Sequence, residues 1–210
     1  MIFLKNYKDT FLVGLLIFSI FGCEKYSFPK NIDDWQPYKV GDIIVFESNK
    51  GNIDTVSIKK IHNSYLADDN LSVLPDKHQN IVVIGEAVLN KPIKTSLGGQ
   101  IFKEEISLLS IYADESVYFN FDFKRPSDGL NYPSTALTFL KLKTLLEKKE
   151  ASNFNSIVIE AVNQYESLIQ YDLKKFWWSK KYGYTRFDFK NGDYLKLVKF
   201  IREGKNILEE

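Results

Sequence analysis

Cysteine and histidine are scarce in this sequence. Its 210 residues include one cysteine, Cys23, and two histidines, His62 and His78. A single cysteine excludes an intramolecular disulfide, so the fold must be stable without a covalent cross-link. Neither histidine lies near a cysteine pair or in an H-E-x-x-H spacing, so we expect no metal site and no other cofactor.

The sequence motifs of common enzymes are also missing. There is no G-x-S-x-G elbow, no Walker A loop and no G-x-G-x-x-G turn. Acidic residues are adjacent at 33–34, 68–69 and 104–105. A glycosidase needs two acids that face each other across a sugar, which adjacency in sequence does not indicate. We therefore predict no catalytic residue. If the protein is an enzyme instead, the alternative is an envelope hydrolase with dispersed carboxylates.

The chain has neither an excess of one charge nor a long apolar run. Its 28 basic and 27 acidic residues nearly cancel, which argues against nucleic-acid binding and against bulk cation binding. Residues 11–21 are apolar except for Gly14 and Ser19. This run is shorter than the roughly 20 residues of a membrane-spanning helix. After a short basic flank and before a small residue, it has the layout of a secretory signal peptide.

The one cysteine follows this apolar run directly, in Ile20-Phe21-Gly22-Cys23. These residues resemble a bacterial lipobox, of which relaxed versions are familiar in the Bacteroidota. The resemblance implies that a signal peptide, residues 1–22, is removed and that Cys23 receives acyl chains. Two or more acyl chains hold a protein stably on a bilayer. The resemblance thus predicts a lipid-anchored envelope protein whose bilayer contact is Cys23, in the outer membrane and facing the periplasm.

Other roles for Cys23 are a catalytic nucleophile and an intermolecular disulfide. A nucleophile needs a nearby base and a shaped pocket, and nothing in the sequence brings a histidine near this terminus. Lipid attachment is the interpretation that we prefer.

Downstream of Cys23, the sequence predicts a tether and one domain. Residues 24–37 combine proline, asparagine, aspartate and serine with few apolar residues, so we assign 23–37 to the lipidated cysteine and its tether. In an alternative, Tyr26, Phe28 and Trp35 pack onto the domain. Residues 38–210 are enough for one core and predict a single β-rich domain.

Several segments have the alternation of half-buried strands. Val117, Phe119, Phe121 and Phe123 share one face of a strand over 117–124. Further strands are predicted over 80–90 and 103–116, and a hairpin joins 43–48 to 53–61; turn residues follow at 125–133. We predict a mainly β fold, a single antiparallel domain formed as a curved sheet, half-barrel or sandwich, with room for one short helix. An α+β fold is the alternative, since 134–152 and 160–176 suit strand or helix.

The last hairpin allows a prediction of register. Its turn contains an Asn-Gly step, which favours a two-residue turn, but that turn would mix polar and apolar residues on each face. A three-residue loop, 190–192, with its glycine left-handed, sets Phe187 opposite Leu195 and Thr185 opposite Leu197. We predict this second register because it keeps one face apolar.

Two short stretches contain candidate sites for a ligand, a partner or a modification. Trp177 and Trp178 must point to opposite faces of a strand, so one of them lies on an outer face, where it could contact a ligand or a partner unless another element covers it. The stretch 54–56, Asp-Thr-Val, resembles the short O-glycosylation pattern of the Bacteroidota, which makes Thr55 a candidate glycan site.

Two longer stretches resemble uncharacterised Bacteroidota lipoproteins. Residues 176–192, FWWSKKYGYTRFDFKNG, resemble an aromatic strand, a Ser-Lys pair and a Tyr-Gly step that lead into a closing hairpin, and 38–58 resemble a first hairpin. The resemblance implies an all-β exported domain and transfers no catalytic residue. We predict a non-catalytic binding or structural protein, in which the apolar face of 117–123 holds a lipid or other apolar ligand. An accessory subunit of an outer-membrane complex is a further alternative.

Overall fold

The computed structural model describes most of the chain after Cys23. The described residues are 24–67, 76–94, 98–123, 135–147, 153–161 and 173–208. Several of the sequence predictions fall outside these ranges, namely the signal peptide 1–22, the lipidated Cys23, the acidic pair 68–69, the turn 125–133 and the centre of 160–176.

The described residues form twelve strands and one α-helix. The strands are β1 (Lys25–Tyr26), β2 (Ile43–Ser48), β3 (Ile53–Ala67), β4 (Lys77–Lys94), β5 (Gln100–Ala113), β6 (Val117–Phe121), β7 (Thr135–Thr138), β8 (Ser156–Glu160), β9 (Leu173–Ser179), β10 (Gly183–Phe189), β11 (Tyr194–Arg202) and β12 (Lys205–Asn206). The helix is α1 (Phe139–Glu147), and two 3₁₀ turns span Ile32–Trp35 and Asn153–Asn155.

All twelve strands belong to one open sheet. Their order is β7-β6-β5-β4-β3-β2-β11-β10-β9-β8, with β1 beside β4 and β12 beside β11. Every pairing is antiparallel except that of the two-residue β1 with β4. The strands β7 and β8 end the order without pairing to each other, so the sheet does not close into a barrel. The predicted mainly β fold, a single antiparallel domain with one short helix, is confirmed.

The sheet bends so that its two halves pack against each other. The ring of Phe121 in β6 lies 4.9 Å from that of Trp178 in β9. These two strands are each next to one end of the sheet order, and eight strands separate the two ends. Phe123 stacks on Phe187 of β10 at 3.8 Å between ring centroids. The right-handed twist of long strands makes such bending inexpensive, and it lets one sheet cover its own inner face.

The strand predicted from its alternation is present, and its apolar face lies in the core. Phe119, Phe121 and Phe123 are 0%, 2% and 5% exposed, and Val117 is partly buried. These side chains pack on aromatic rings from β2, β9 and β10. The face that suggested a site for an acyl chain is thus occupied by the protein's own side chains.

The closing hairpin has the predicted three-residue loop. Phe187 lies opposite Leu195, and Gly192 adopts a φ of +87°. The register is the predicted one, and the pairing of β10 with β11 ends at Arg186 and Lys196, one residue before the predicted pair Thr185 and Leu197. Thr185 lies where the β9–β10 register shifts, and its buried hydroxyl is 2.8 Å from that of Ser156 in β8. A local bulge therefore turns this threonine toward a polar partner.

The ambiguous segment 134–152 contains both kinds of structure in its described part. The strand β7 leads directly into α1, and Thr138 Oγ1 accepts a hydrogen bond from the backbone N–H of Lys141 at the helix start. Leu142 is fully buried against the sheet, whereas Leu140 is 75% exposed. Within 160–176, Glu160 is the last residue of β8, and residues 173–176 belong to β9.

The segment after Cys23 contacts the sheet along its length. The backbone N–H of Lys77 donates to Glu24 O at 2.9 Å, and that of Phe28 donates to the side chain of Gln79 at 2.9 Å. Ile32 and Trp35 are 4% and 6% exposed and belong to the hydrophobic core. Residues 24–37 thus follow the alternative in which the aromatic residues of this segment pack onto the domain.

An ion pair with a buried carboxylate joins the residue before β2 to the end of β11. Asp42 is 2% exposed, and its carboxylate accepts hydrogen bonds from Arg202 Nε at 2.9 Å and Nη2 at 2.6 Å. Arg202 Nη2 also donates to Pro37 O, and the N–H of Lys39 donates to Asp42. The Asp42 carboxylate raises the pKa of Arg202, so the guanidinium keeps its charge. Such a bidentate pair fixes orientation as well as distance.

A second buried contact holds the residues before β2 against β10. Tyr38 is 2% exposed, and its hydroxyl accepts a hydrogen bond from the backbone N–H of Tyr184 at 3.0 Å. This approach requires glycine at position 183, where φ is +69° and a Cβ would overlap the Tyr38 hydroxyl. Burial raises the pKa of both tyrosines, so the phenols stay protonated.

Replacement of this glycine should be costly. We expect Gly183→Ala to lower the free energy of unfolding by about 3 kcal/mol, because it adds backbone strain and a clash with a buried ring. Gly192→Ala is the matched control, since φ is +87° there but no atom lies within 4 Å of the added Cβ. It should cost about 1 kcal/mol. Urea unfolding of the two variants measures both, and equal losses would contradict the role of the Tyr38 contact.

Candidate functional site

The two adjacent tryptophans of β9 lie on opposite faces of the sheet, as the sequence predicted. Trp178 is fully buried, with its ring 4.9 Å from Phe121 and 5.0 Å from Tyr184. It is therefore a core residue and has no surface to offer to a ligand. Trp177 is partly buried and lies on the outer face, opposite Val158 and Arg186.

Cations surround Trp177 on the outer face. The guanidinium carbon of Arg186 lies 5.0 Å from the Trp177 ring and 4.6 Å from the Tyr194 ring, and Lys175 Nζ lies 4.9 Å from Trp177. Arg186 Nε also donates to Asp188 at 2.6 Å. We call Lys175, Trp177, Arg186 and Tyr194 the outer-face ladder. Because its cations already lie over the indole, the ladder is better suited to stabilising the sheet surface than to stacking a sugar.

A groove lies where the N-terminal segment meets α1 and the turn between β9 and β10. It has a volume of about 320 Å³, within the range of small-molecule sites. Four elements supply its walls: the 3₁₀ turn at 32–35, the last turns of α1, the 3₁₀ turn at 153–155 and the turn between β9 and β10. We call it the Trp35 groove, and its lining residues are Trp35, Lys143, Leu146, Glu147, Asn155 and Lys180.

Trp35 forms the floor of this groove. Its ring meets Phe139 of α1 edge-on at 4.9 Å and Phe119 of β6 at 6.3 Å. The indole is 6% exposed, and its Nε1 has no hydrogen-bond partner within the described ranges. The same holds for Trp178 Nε1 in the middle of the core, so an unpartnered indole N–H does not by itself indicate a ligand.

The rim of the groove carries charges of both signs. Lys180 Nζ lies 5.0 Å from the Trp35 ring and 3.9 Å from an Asp34 carboxylate oxygen. Lys143 Nζ lies 5.6 Å from the Phe139 ring, and Glu147 is the acidic residue of the lining. An apolar wall beside two ammonium groups suits a small apolar molecule that ends in an anionic oxygen.

The histidines are separate and neither belongs to this groove. His62 is exposed on β3, whereas His78 is 5% exposed and stacks between Tyr26 at 4.9 Å and Tyr112 at 5.2 Å. His78 Nδ1 lies 3.1 Å from Ala113 O. In the part of the chain that the structure covers, no group of three or more His, Cys, Asp or Glu side chains could hold a metal ion.

The acidic pairs and Thr55 likewise lie apart from the groove, except for Asp34 at its rim. Glu105 on β5 accepts a hydrogen bond from Lys60 at 2.9 Å, and Glu104, its neighbour on the strand, points to the other face. Thr55 lies in β3 opposite Val45, partly buried, between the fully buried Asp54 and Val56. Its hydroxyl stays a candidate for a glycan.

No family model, curated protein or solved structure matches this chain. The chemistry of its own residues is therefore the basis for any functional proposal. No helix in the described ranges is long and apolar enough to cross a membrane.

Sequence reasoning identified Trp35 as a residue that could pack, but not as the floor of a groove. The other lining residues come from three separate stretches of the chain, and no linear motif connects them. One local signal was available. Leu142, Leu145 and Leu146 have the spacing of a helical apolar face, which is the face that α1 packs against the core.

The two tryptophans should differ strongly in their effect on stability. We expect Trp178→Ala to lower the free energy of unfolding by about 4 kcal/mol, because it leaves a large cavity in the core. Trp177→Ala should cost about 1 kcal/mol through loss of the cation contacts. Guanidinium unfolding followed by far-UV circular dichroism measures both. Equal losses would contradict the assignment of the two side chains to opposite faces.

Proposed function

We propose that this protein is a lipid-anchored lipoprotein of the cell envelope with a non-catalytic binding role. In this proposal Cys23 is acylated after removal of residues 1–22, and the domain faces the periplasm from the outer membrane. The Trp35 groove binds a small apolar molecule with an anionic end, such as a fatty acid. The observation that carries the binding role is the groove itself, which combines the apolar side chains of Trp35 and Leu146 with two lysines.

The size of the groove supports a ligand with one short chain or ring system. Its volume of about 320 Å³ corresponds to roughly ten water molecules at about 30 Å³ each. The apolar floor would take a hydrocarbon, while Lys143 or Lys180 would contact a carboxylate or phosphate oxygen. None of the six lining residues is a serine, cysteine or histidine, so the lining offers no familiar nucleophile with its base. Binding without chemistry is the role that fits these residues.

A second candidate role has its own support. Three large apolar side chains are exposed on the outer part of the β4–β5 hairpin: Val88 is 45% exposed, Ile101 41% and Phe102 56%. Exposed apolar side chains at the end of a long hairpin are available for contact with other proteins. This observation favours an accessory subunit of an envelope complex as the alternative to ligand binding.

The anchor can be tested by intact mass. Protein extracted from its native membrane should have the mass of residues 23–210 plus acyl groups, because the lipobox directs cleavage before Cys23. A Cys23→Ala variant should lack this modification and leave the membrane fraction. A further mass increment in the acylated protein that a Thr55→Ala variant removes would assign a glycan to Thr55. An unmodified full-length chain would overturn the anchor.

The groove can be tested with a fluorescent ligand. We expect anilinonaphthalene sulfonate, an apolar ring system with an anionic group, to bind the purified protein, and Lys180→Glu to weaken its affinity at least tenfold by replacing attraction with repulsion at the rim. Lys196→Glu is the matched control, since it reverses an exposed charge on β11 that is not part of the groove and should leave the affinity unchanged.

Titration of fluorescence against protein concentration gives the dissociation constants. Absence of binding to the unaltered protein, or equal affinity for the Lys180 and Lys196 variants, would contradict the assignment of the ligand to this groove.

A further inference from the structure

The residue that follows Cys23 is held firmly on the sheet. The backbone N–H of Glu24 donates to Asp76 at 2.8 Å, and its carbonyl accepts from the N–H of Lys77 at 2.9 Å. The next two residues form β1, in which Lys25 pairs with Lys77. A lipid on Cys23 would thus be attached one residue before a segment that is hydrogen-bonded to the start of β4. In the described chain, no spacer lies between Glu24 and the sheet.

The end of the sheet next to this attachment exposes side chains that suit a membrane surface. Leu66 and Ala67 at the end of β3 pair with residues 78 and 77 at the start of β4. Tyr65 is 42% exposed and Leu66 49%. Lys25 Nζ lies 4.4 Å from the Tyr65 ring. Tyrosine, an exposed aliphatic residue and lysine are the side chains that collect where lipid headgroups meet hydrocarbon.

The charges at this end are mixed. The exposed Lys25 and Lys77 stand beside Glu24 and Asp76, and the β5–β6 turn at 114–116 adds further acidic side chains. The four acidic side chains outnumber the two lysines, so this end has no electrostatic attraction to anionic lipid. Contact here would depend on the apolar and aromatic groups and on the nearby anchor, with little contribution from electrostatic attraction.

We propose that this end of the sheet lies in the headgroup region of the bilayer to which Cys23 is attached. We call Lys25, Tyr65, Leu66 and Lys77 the bilayer end. The proposal rests on acylation of Cys23, which is part of the proposed function. The choice of a bilayer as the occupant follows from where the described chain starts: acyl chains within one residue of Glu24 hold the membrane against this surface at high effective concentration, ahead of any soluble partner.

The orientation of the whole domain follows from this contact. The strand β4 starts at the bilayer end and runs for 18 residues, or about 55 Å at 3.3 Å per residue. The far part of the β4–β5 hairpin, which exposes Val88, Ile101 and Phe102, therefore lies about 35 to 50 Å along the strand from the start of β4. One end of the sheet contacts lipid and the opposite end points into the aqueous compartment.

Site-specific fluorescence in vesicles tests this proposal. Full-length protein is expressed with its leader, purified from membranes and reconstituted into vesicles of phosphatidylethanolamine and phosphatidylglycerol. The acylated Cys23 is blocked, so a new cysteine can be labelled selectively with a polarity-sensitive fluorophore. Leu66→Cys places the label at the bilayer end, and Phe102→Cys is the matched control at an equally exposed apolar position of the far hairpin.

We expect a lipid with a spin label on its headgroup to quench the label at position 66 at least twofold more strongly than the label at position 102. Equal quenching, in protein that floats with the vesicles, would overturn the proposed contact and leave the anchor intact. Protein that carries no acyl group and does not float would overturn both. Tyr65→Cys is a second probe of the same end in case Leu66→Cys fails to fold, which circular dichroism of each labelled protein detects.

Discussion

The hydroxyl of Tyr184 joins the two halves of the bent sheet. It lies 2.8 Å from the carbonyl oxygens of both Leu108 in β5 and Asp122 after β6, and it shares one proton between them. These carbonyls belong to the half of the sheet that is remote from β10 in strand order. An open sheet has no ladder to hold its two halves together, so side chains must do it. Tyr184 supplies a directional bond where the surrounding rings supply only area.

The position of Tyr184 is itself determined by its neighbours. Its backbone N–H is bonded to Tyr38, and its ring lies among Phe176, Trp178 and Phe187. Rings that meet edge-to-face pack densely without leaving space for a ligand. The side chains of the inner face therefore stabilise a fold that has no intramolecular disulfide. Surfaces for binding are left to the rim and the ends of the sheet, where the Trp35 groove and the bilayer end lie.

The sequence predicted those features whose cause is local. Alternation placed Phe119 and Phe121 on an inner face, and the need to keep faces apolar selected the loop at 190–192. Alternation also separated Trp177 from Trp178, because neighbours on a strand must point apart. Each of these results follows from the chain within a few residues, and tertiary structure did not override it.

Features with non-local causes could not be predicted. The segment containing α1 has the composition of strand or helix, and the burial of Leu142 against the sheet decides between them. The hydroxyl of Thr185 lies 2.8 Å from that of Ser156 in β8, a contact that no local pattern indicates. The Trp35 groove exists only after four separate stretches meet. A polar, proline-containing segment such as 24–37 suggests a tether, yet Ile32 and Trp35 find apolar positions that no linear pattern reveals.

The packing of this segment changes what a lipid anchor would do. A long flexible tether would let a domain rotate freely above the membrane, so that no surface would face lipid more than another. Here β1 pairs with β4, and Glu24 is bonded on both its N–H and its carbonyl side. An anchor at the preceding residue would therefore fix the direction of the strands as well as the location of the protein. The exposed far hairpin would then face the aqueous compartment, in which protein partners are found. One modified residue would in this way determine the orientation of the whole domain.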